Sequence, residues 1–224
     1  MQKIIGLATR LIFIPNRNSP AVISKEITFD WHMGMSSAVR KRSIASLHEK
    51  AGEAGIRSVL EASSKSDEAI GLDLSAFFLC NDKGIAVENL FQSSKVFEGD
   101  IQFKNLMSVT PREAKKDPRL KTSGKMIKFS FDGKDYPLNP TSLFYDWLYT
   151  KILFTAENNA ALKDNFVNKN YDAFSDIEFN PKKSFSCQAR TLALSISLYS
   201  NDKIDDFLSD PIGFSKAFNL YAEQ

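Results

Sequence analysis

The stretch Val87-Glu88-Asn89-Leu90-Phe91-Gln92-Ser93-Ser94-Lys95 sets a carboxylate and an amine seven positions apart inside an apolar frame. Val87, Leu90, Phe91 and Ser94 recur at the spacing of a helix's inner face, so the sequence predicts a helix over Ile85 to Phe97. Seven residues rotate through nearly two full turns, which puts Glu88 and Lys95 on one face with Cα atoms roughly 10 Å apart along the axis. A glutamate with a raised pKa serves as general acid or base. A lysine holds a phosphate or hydroxyl, or acts as an amine nucleophile when desolvated. The same spacing also describes the solvated face of an ordinary amphipathic helix.

Working outward toward the N-terminus, Asp82-Lys83-Gly84 is a turn before this helix. Leu72 to Leu79 is a short apolar piece, a buried strand or turn, and Ser63-Ser64-Lys65-Ser66 is a polar loop after a strand over Arg57 to Ala62. Ser36 or Ser37 caps a helix running to about Ala54. Residues 8–14 and Val22 to Trp31 read as two strands of a hairpin around Asn16 to Pro20. Toward the C-terminus, Thr110-Pro111-Arg112-Glu113 opens a helix with Thr as N-cap, Pro at the first position and Glu at N3. Lys125 to Phe131 and Tyr136 to Leu138 form a hairpin around Asp132-Gly133. Thr141 or Ser142 opens an apolar helix to about Phe154, and Asn159 to Val167, Cys187 to Leu198 and Lys203 to Leu220 supply further helices. Asp172 to Pro181 reads as irregular and acidic. The fold class expected is α+β: one mostly helical domain over 1–224, with short strands mainly in the N-terminal part.

The chain has 224 residues, 43% of them hydrophobic, with 18 Phe, enough apolar bulk for a full core. Net charge is +2, too small for a binder that works by bulk phosphate neutralisation. Lys115, Lys116, Arg119, Lys121, Lys125 and Lys128 form a local basic patch or a solvated loop. Cys80 and Cys187 make neither a disulfide framework nor a zinc pattern, which fits a reducing, cytoplasmic compartment. The first fifteen residues read as strand rather than signal peptide, and no run approaches membrane-spanning length. Only His32 and His48 are available as imidazole ligands, so no metal or cofactor is expected. Gly-rich phosphate loops and a nucleophile elbow are absent. Asp146-Trp147 inside an apolar helix is either a buried, paired acid beside a base-stacking wall or plain core. Asp172, Asp176 and Glu178 precede a helix opened by Gln188 and Arg190, an arrangement suited to ligand orientation or to capping.

Four of these pieces, in order, resemble the NADAR (YbiA-like) family of hydrolases of ADP-ribose-type glycosides. Leu74-Ser75-Ala76-Phe77-Phe78 resembles its F-S-N-F loop, and Val87 to Lys95 its S-x-E-H-x-F-Q-x-x-K helix. Thr110-Pro111-Arg112-Glu113-Ala114-Lys115 with Arg119 resembles S-P-x-E-A-K…G-R. Tyr145-Asp146-Trp147 resembles R-x-D-W, and Asp176 and Gln188 stand where the family has D-x-x-W-G and a later Asn. Ser63 to Ser66, Asp117-Pro118-Arg119-Leu120-Lys121 and Phe174 to Ser184 resemble the branch encoded beside DarT-type toxins. Asn89 stands in place of the usual His, Gln188 in place of Asn, and Ile177-Glu178-Phe179 in place of W-G.

The resemblance covers roughly residues 57–198, leaving 1–56 as an N-terminal elaboration. It implies an antitoxin that strips ADP-ribose from guanine bases in DNA, with ADP-ribosylated DNA and a DarT-type toxin as partners and no membrane. Glu88 is then the acid/base, and Lys95 binds sugar hydroxyls or forms a Schiff base with ring-opened C1. Phe77 or Trp147 stacks on a base, Lys65 and Arg119 meet the diphosphate, Asp176 and Gln188 hold ribose, and Ser64 joins the substrate-binding set. The wider family's N-glycosidase activity on riboflavin-pathway intermediates, and a non-catalytic ADP-ribose-binding module, are the competing expectations.

Overall fold

The structure is a computed structural model that describes residues 5–34, 36–180 and 186–221. Residues 1–4 and 181–184, which fall within the N-terminal segment and the last quoted motif, lie outside the described residues. In chain order the elements are β1 (Ile5–Asn16), β2 (Ala21–His32), α1 (Ser37–Glu53), β3 (Val59–Glu61), α2 (Ala69–Asp73), α3 (Val87–Ser93), β4 (Lys95–Phe97), β5 (Ile101–Gln102), α4 (Pro111–Lys116), α5 (Arg119–Thr122), β6 (Met126–Phe131), β7 (Lys134–Tyr136), α6 (Leu143–Thr155), α7 (Ala160–Asn168), β8 (Ala173–Ser175), α8 (Gln188–Ser200), α9 (Ile204–Ser209) and α10 (Pro211–Ala217). The mixture is α+β, as the sequence predicts.

One sheet runs β2-β1-β8-β3. β1 and β2 pair antiparallel along their whole length, from Ile5↔His32 to Asn16↔Ala21. Successive side chains of a strand face opposite sides, and here both sides are covered. Ile12, Ile27 and Phe29 pack with Ile44 and Leu47 of α1, whereas Phe13, Leu60 and Phe174 join the larger core around α6 and α8. Ser36 caps α1, its hydroxyl accepting from the Val39 amide at 3.3 Å. β8 joins β1 antiparallel at Phe13↔Phe174 and β3 in parallel at Leu60↔Phe174. Asp172 to Pro181 is therefore not wholly irregular. Its Ala173 and Phe174 are buried on both faces of a sheet, the setting in which a strand loses its alternating signal.

The second sheet runs β5-β4-β6-β7 and corrects the central expectation. The helix that starts at Val87 ends at Ser93, and Lys95 opens a strand paired with Phe129 of β6. The hydroxyls of Ser93 and Ser94 both return to the Leu90 carbonyl, at 3.1 and 2.7 Å, a competition that favours leaving the helix. Val96 and Phe97 are strand formers and find a partner in β6. α6 packs against α8, α7 and α3 and is buried on nearly every side, as an apolar helix without a polar face must be.

Candidate active site

Leu74 to Leu79 forms a turn seated on the start of α3. The amides of Val87 and Glu88 donate to the carbonyls of Leu79 and Ala76, each at 2.9 Å. Those bonds satisfy donors that a helix start leaves open and fix Glu88 in the first turn, where the helix dipole favours a carboxylate. Glu88 is buried, 4% exposed. Its Oε1 accepts from Gln92 Nε2 at 2.7 Å, and its Oε2 forms an ion pair with Lys115 Nζ at 3.7 Å. The Oε1 of Gln92 is buried and has no hydrogen-bond partner among the described residues.

Lys95 reaches the same region from β4 rather than from the helix face. Its amine lies 4.9 Å from the centre of the Phe91 ring. Burial lowers its pKa; Glu88 opposes that shift and Lys115 adds to it. Among the described residues no carboxylate pairs with this amine and no side chain hydrogen-bonds it. Tyr145 meets Phe91 edge-on, with ring centres 5.0 Å apart. Burial first, then the charge of Glu88, raises its phenol pKa well above the ordinary value, so the phenol stays protonated.

Two other elements close the site. Asn89 donates to the carbonyls of Leu106 and Val109 at 2.7 and 2.8 Å, tying α3 to the approach of α4. The capping box of Thr110 and Glu113 then starts α4, which delivers Lys115 to Glu88 and places its amine 5.2 Å from the half-buried Phe77 ring. On the other flank Gln188, the first residue of α8, accepts from the Ala76 amide at 2.8 Å and donates to Asp176 Oδ2 at 3.0 Å. The Asp176 carboxyl pKa is pushed up to about 7, by burial first and then by the charge of Glu61.

The structure thus brings together Glu88, Lys95, Phe77, Asp176 and Gln188. It does not bring Trp147 to them. That indole is buried, stacks with Tyr136 at 4.6 Å, and donates to the Leu208 carbonyl at 3.0 Å. The base-stacking role expected of Trp147 gives way to core packing. Arg119 is engaged by Asp117 through Nε and Nη2 at 2.9 and 2.7 Å and lies over Phe103, so one edge of its guanidinium is already taken. Ser64 and Lys65 are half-buried in the loop after β3. A hollow of about 520 Å³ on the other side of α3 is lined by Leu90, Ser93, Ser94, Lys104 and Lys151, but not by Glu88 or Lys95.

Sequence reasoning missed Lys115 as the partner of Glu88, the protonated Tyr145 beside Phe91, and Glu61. Glu61 is 2% exposed and accepts from Ser63, Ser175 and the Ile177 amide at 2.6, 2.6 and 2.9 Å. His48 Nε2 meets Ser175 Oγ at 2.8 Å. The available signal was a charged residue inside the apolar run Val59-Leu60-Glu61-Ala62.

Residues 8–224 match the sequence model of the DarT1-associated NADAR antitoxin family. The chain belongs to that family. No curated protein matches the sequence. The family match begins at residue 8 and so takes in the β1–β2 hairpin along with the site. In this NADAR chain Asn89, standing where the motif has His, is spent on two backbone carbonyls at the approach of α4. Among the described residues no helix is long and apolar enough to cross a membrane.

Proposed function

We propose that the chain is an ADP-ribosyl glycohydrolase that removes ADP-ribose from guanine bases in DNA and so counteracts a DarT-type ADP-ribosyltransferase toxin. The observation that carries this reading is a buried, hydrogen-bonded Glu88 within electrostatic reach of Lys95, whose amine lies over the Phe91 ring and has no ion-pair partner within contact distance among the described residues. Cleavage of an N-glycosidic bond builds positive charge on the sugar and electron density on the leaving base. In the direct route the base departs with the electron pair of the C1–N bond and takes a proton from Glu88. Water then gives its oxygen to C1 and its proton to the Glu88 carboxylate, restoring the acid. In the covalent route the sugar ring opens and Lys95, as free amine, adds to C1; the base leaves with the electron pair of the C1–N bond and takes a proton from Glu88, the amine nitrogen gives a proton back to that carboxylate as the imine forms, and water later hydrolyses the imine to release the sugar and regenerate the amine. A lowered lysine pKa favours the second route, since only the neutral amine attacks. Phe77 offers a ring face to a base, and Asp176 with Gln188 offers hydrogen bonds to ribose hydroxyls.

Release of free ADP-ribose from guanine-modified DNA tests the reading. Glu88→Gln and Lys95→Ala are each expected to lose at least about a hundredfold in kcat, the usual contribution of one acid–base or nucleophilic group. Full activity in both variants defeats the assignment. Borohydride trapping of an adduct in wild type but not in Lys95→Ala identifies the covalent route; an active Lys95→Arg rejects it. A parallel assay on a riboflavin-pathway N-glycoside discriminates the small-molecule alternative, and tight ADP-ribose binding without turnover would mark a reader.

A further inference from the structure

Arg10 of β1, Trp31 of β2 and Arg40 of α1 meet on the side of the hairpin that packs against α1. The two guanidinium carbons lie 5.1 and 4.7 Å from the Trp31 ring centre. Two like charges on one indole repel, and only one of them is matched: Arg40 Nε pairs with Glu178 at 3.3 Å. Arg10 donates through Nη1 to the carbonyl of its neighbour Thr9 at 3.0 Å, and its Nε is buried with no hydrogen-bond partner among the described residues. Burial and then Arg40 push its pKa down, while Asp176 and Glu178 act in the opposite sense. Asp176 is the residue that Gln188 ties to the Phe77 turn, so this pair of cations borders the candidate active site. A guanidinium with a dry, unmatched N–H is costly unless an acceptor arrives. The indole holds each planar fork in place without neutralising it.

We propose that Arg10 and Arg40, aligned on Trp31, form a phosphate-binding clamp at the edge of the site. The ligand chemistry is a phosphate group with oxygens for both forks, since a tetrahedral phosphate offers acceptors in more directions than a flat carboxylate. Two sources supply it: the diphosphate of an ADP-ribosyl group, and a backbone phosphodiester of DNA. Arg119, which the sequence pattern put forward for the diphosphate, is occupied by Asp117 and leaves that task open. The clamp deepens the function proposed above and gives the β1–β2 hairpin a part in it.

Binding, measured without turnover, separates this proposal from the catalytic one. Wild type, Arg10→Met, Arg40→Met and Glu88→Gln are titrated with free ADP-ribose and with a fluorescent unmodified DNA duplex. Methionine keeps an apolar stem on Trp31 while removing the charge, and circular dichroism with thermal melting confirms that each variant is folded. Each arginine variant is expected to weaken at least one probe by about tenfold, the effect of one charge-assisted hydrogen bond. Loss confined to ADP-ribose assigns the diphosphate. Loss confined to DNA, with the slope of log affinity against log salt falling by about 1 per arginine, assigns the backbone phosphate. Arg10→Lys, which keeps charge but not the fork, falls in between. The clamp is overturned if folded Arg10→Met and Arg40→Met bind both probes like wild type, or if wild type binds neither. The test reads binding of both probes and no turnover, so a failed hydrolase assay leaves it readable.

Discussion

At Lys95, burial holds the pKa below 10.5. Between that lowered value and 10.5 the unfolded chain binds more protons than the folded one, so stability attributable to Lys95 rises with pH across the window. At neutral pH the residue is a net cost. Lys95→Met is accordingly expected to be more stable than wild type near pH 7, with the gap closing toward pH 10.5, while turnover is lost; chemical denaturation across pH reads the gap. A lysine whose only task is structural would give the opposite sign. His48 obeys the same rule from another range. Burial lowers its pKa from 6.5 to about 4, so its contribution is fully present above pH 6.5 and is lost as pH falls toward 4. His48→Gln should flatten the stability difference between pH 6.5 and 4 by about 2–3 kcal/mol, visible in paired denaturation curves.

Among elements, the short helix α3 is the one on which everything else is referenced. Asn89 joins it to the approach of α4 through two carbonyls. Removing those bonds strands one buried and one half-buried acceptor, so Asn89→Ala should cost about 2 kcal/mol. The same change should loosen Lys115 and weaken the ion pair at Glu88, which predicts a fall in kcat larger than any change in KM. If stability drops while kinetics stay at wild-type values, Asn89 acts on the fold alone. The elements with local signatures were legible in the sequence: the Ser36 cap, the Thr110–Glu113 box and the turn at Asp132-Gly133 each rest on a few neighbouring residues. The end of α3 was not, because Val87, Leu90, Phe91 and Ser94 continue the helical spacing while the partner that draws Val96 and Phe97 into a strand lies some thirty residues later. The spacing argument paired Glu88 with Lys95 by a helix geometry the chain does not have; they come into electrostatic reach because a strand turns back beside the helix. Asp176 reads from sequence as one of an acidic cluster and Gln188 as one of a polar pair with Arg190 at a helix start, but the Ala76 amide that joins Gln188 to the site has no sequence signal.

At the scale of the whole molecule, Asp146 is the tie between layers. It is fully buried and accepts from Arg190 at 2.6 Å, Thr191 at 2.5 Å and Tyr221 at 2.9 Å. α6, α8 and the C-terminal segment thereby share one carboxylate. Arg190 also donates to the Leu220 carbonyl at 2.9 Å. Truncating one partner of such a pair leaves an uncompensated charge, so Asp146→Ala should destabilise by about 3–5 kcal/mol. Asp146→Asn, which keeps the shape and part of the hydrogen bonding, should lose less; thermal melts of the two rank them. The sequence required Asp146 to be exposed or paired, but its partner stands 44 positions away and became visible only with the fold.

Glu61 and Ser175 are hydrogen-bonded across 114 positions, and Gln188 follows still later. A nascent chain emerging from the ribosome therefore carries Glu88 and Lys95 long before β8 and α8 exist to enclose them. Until β8 and the residues from Gln188 onward have been translated, the pair lacks that flank. A product terminated before Gln188 would carry both side chains without the enclosure that β8 and α8 provide.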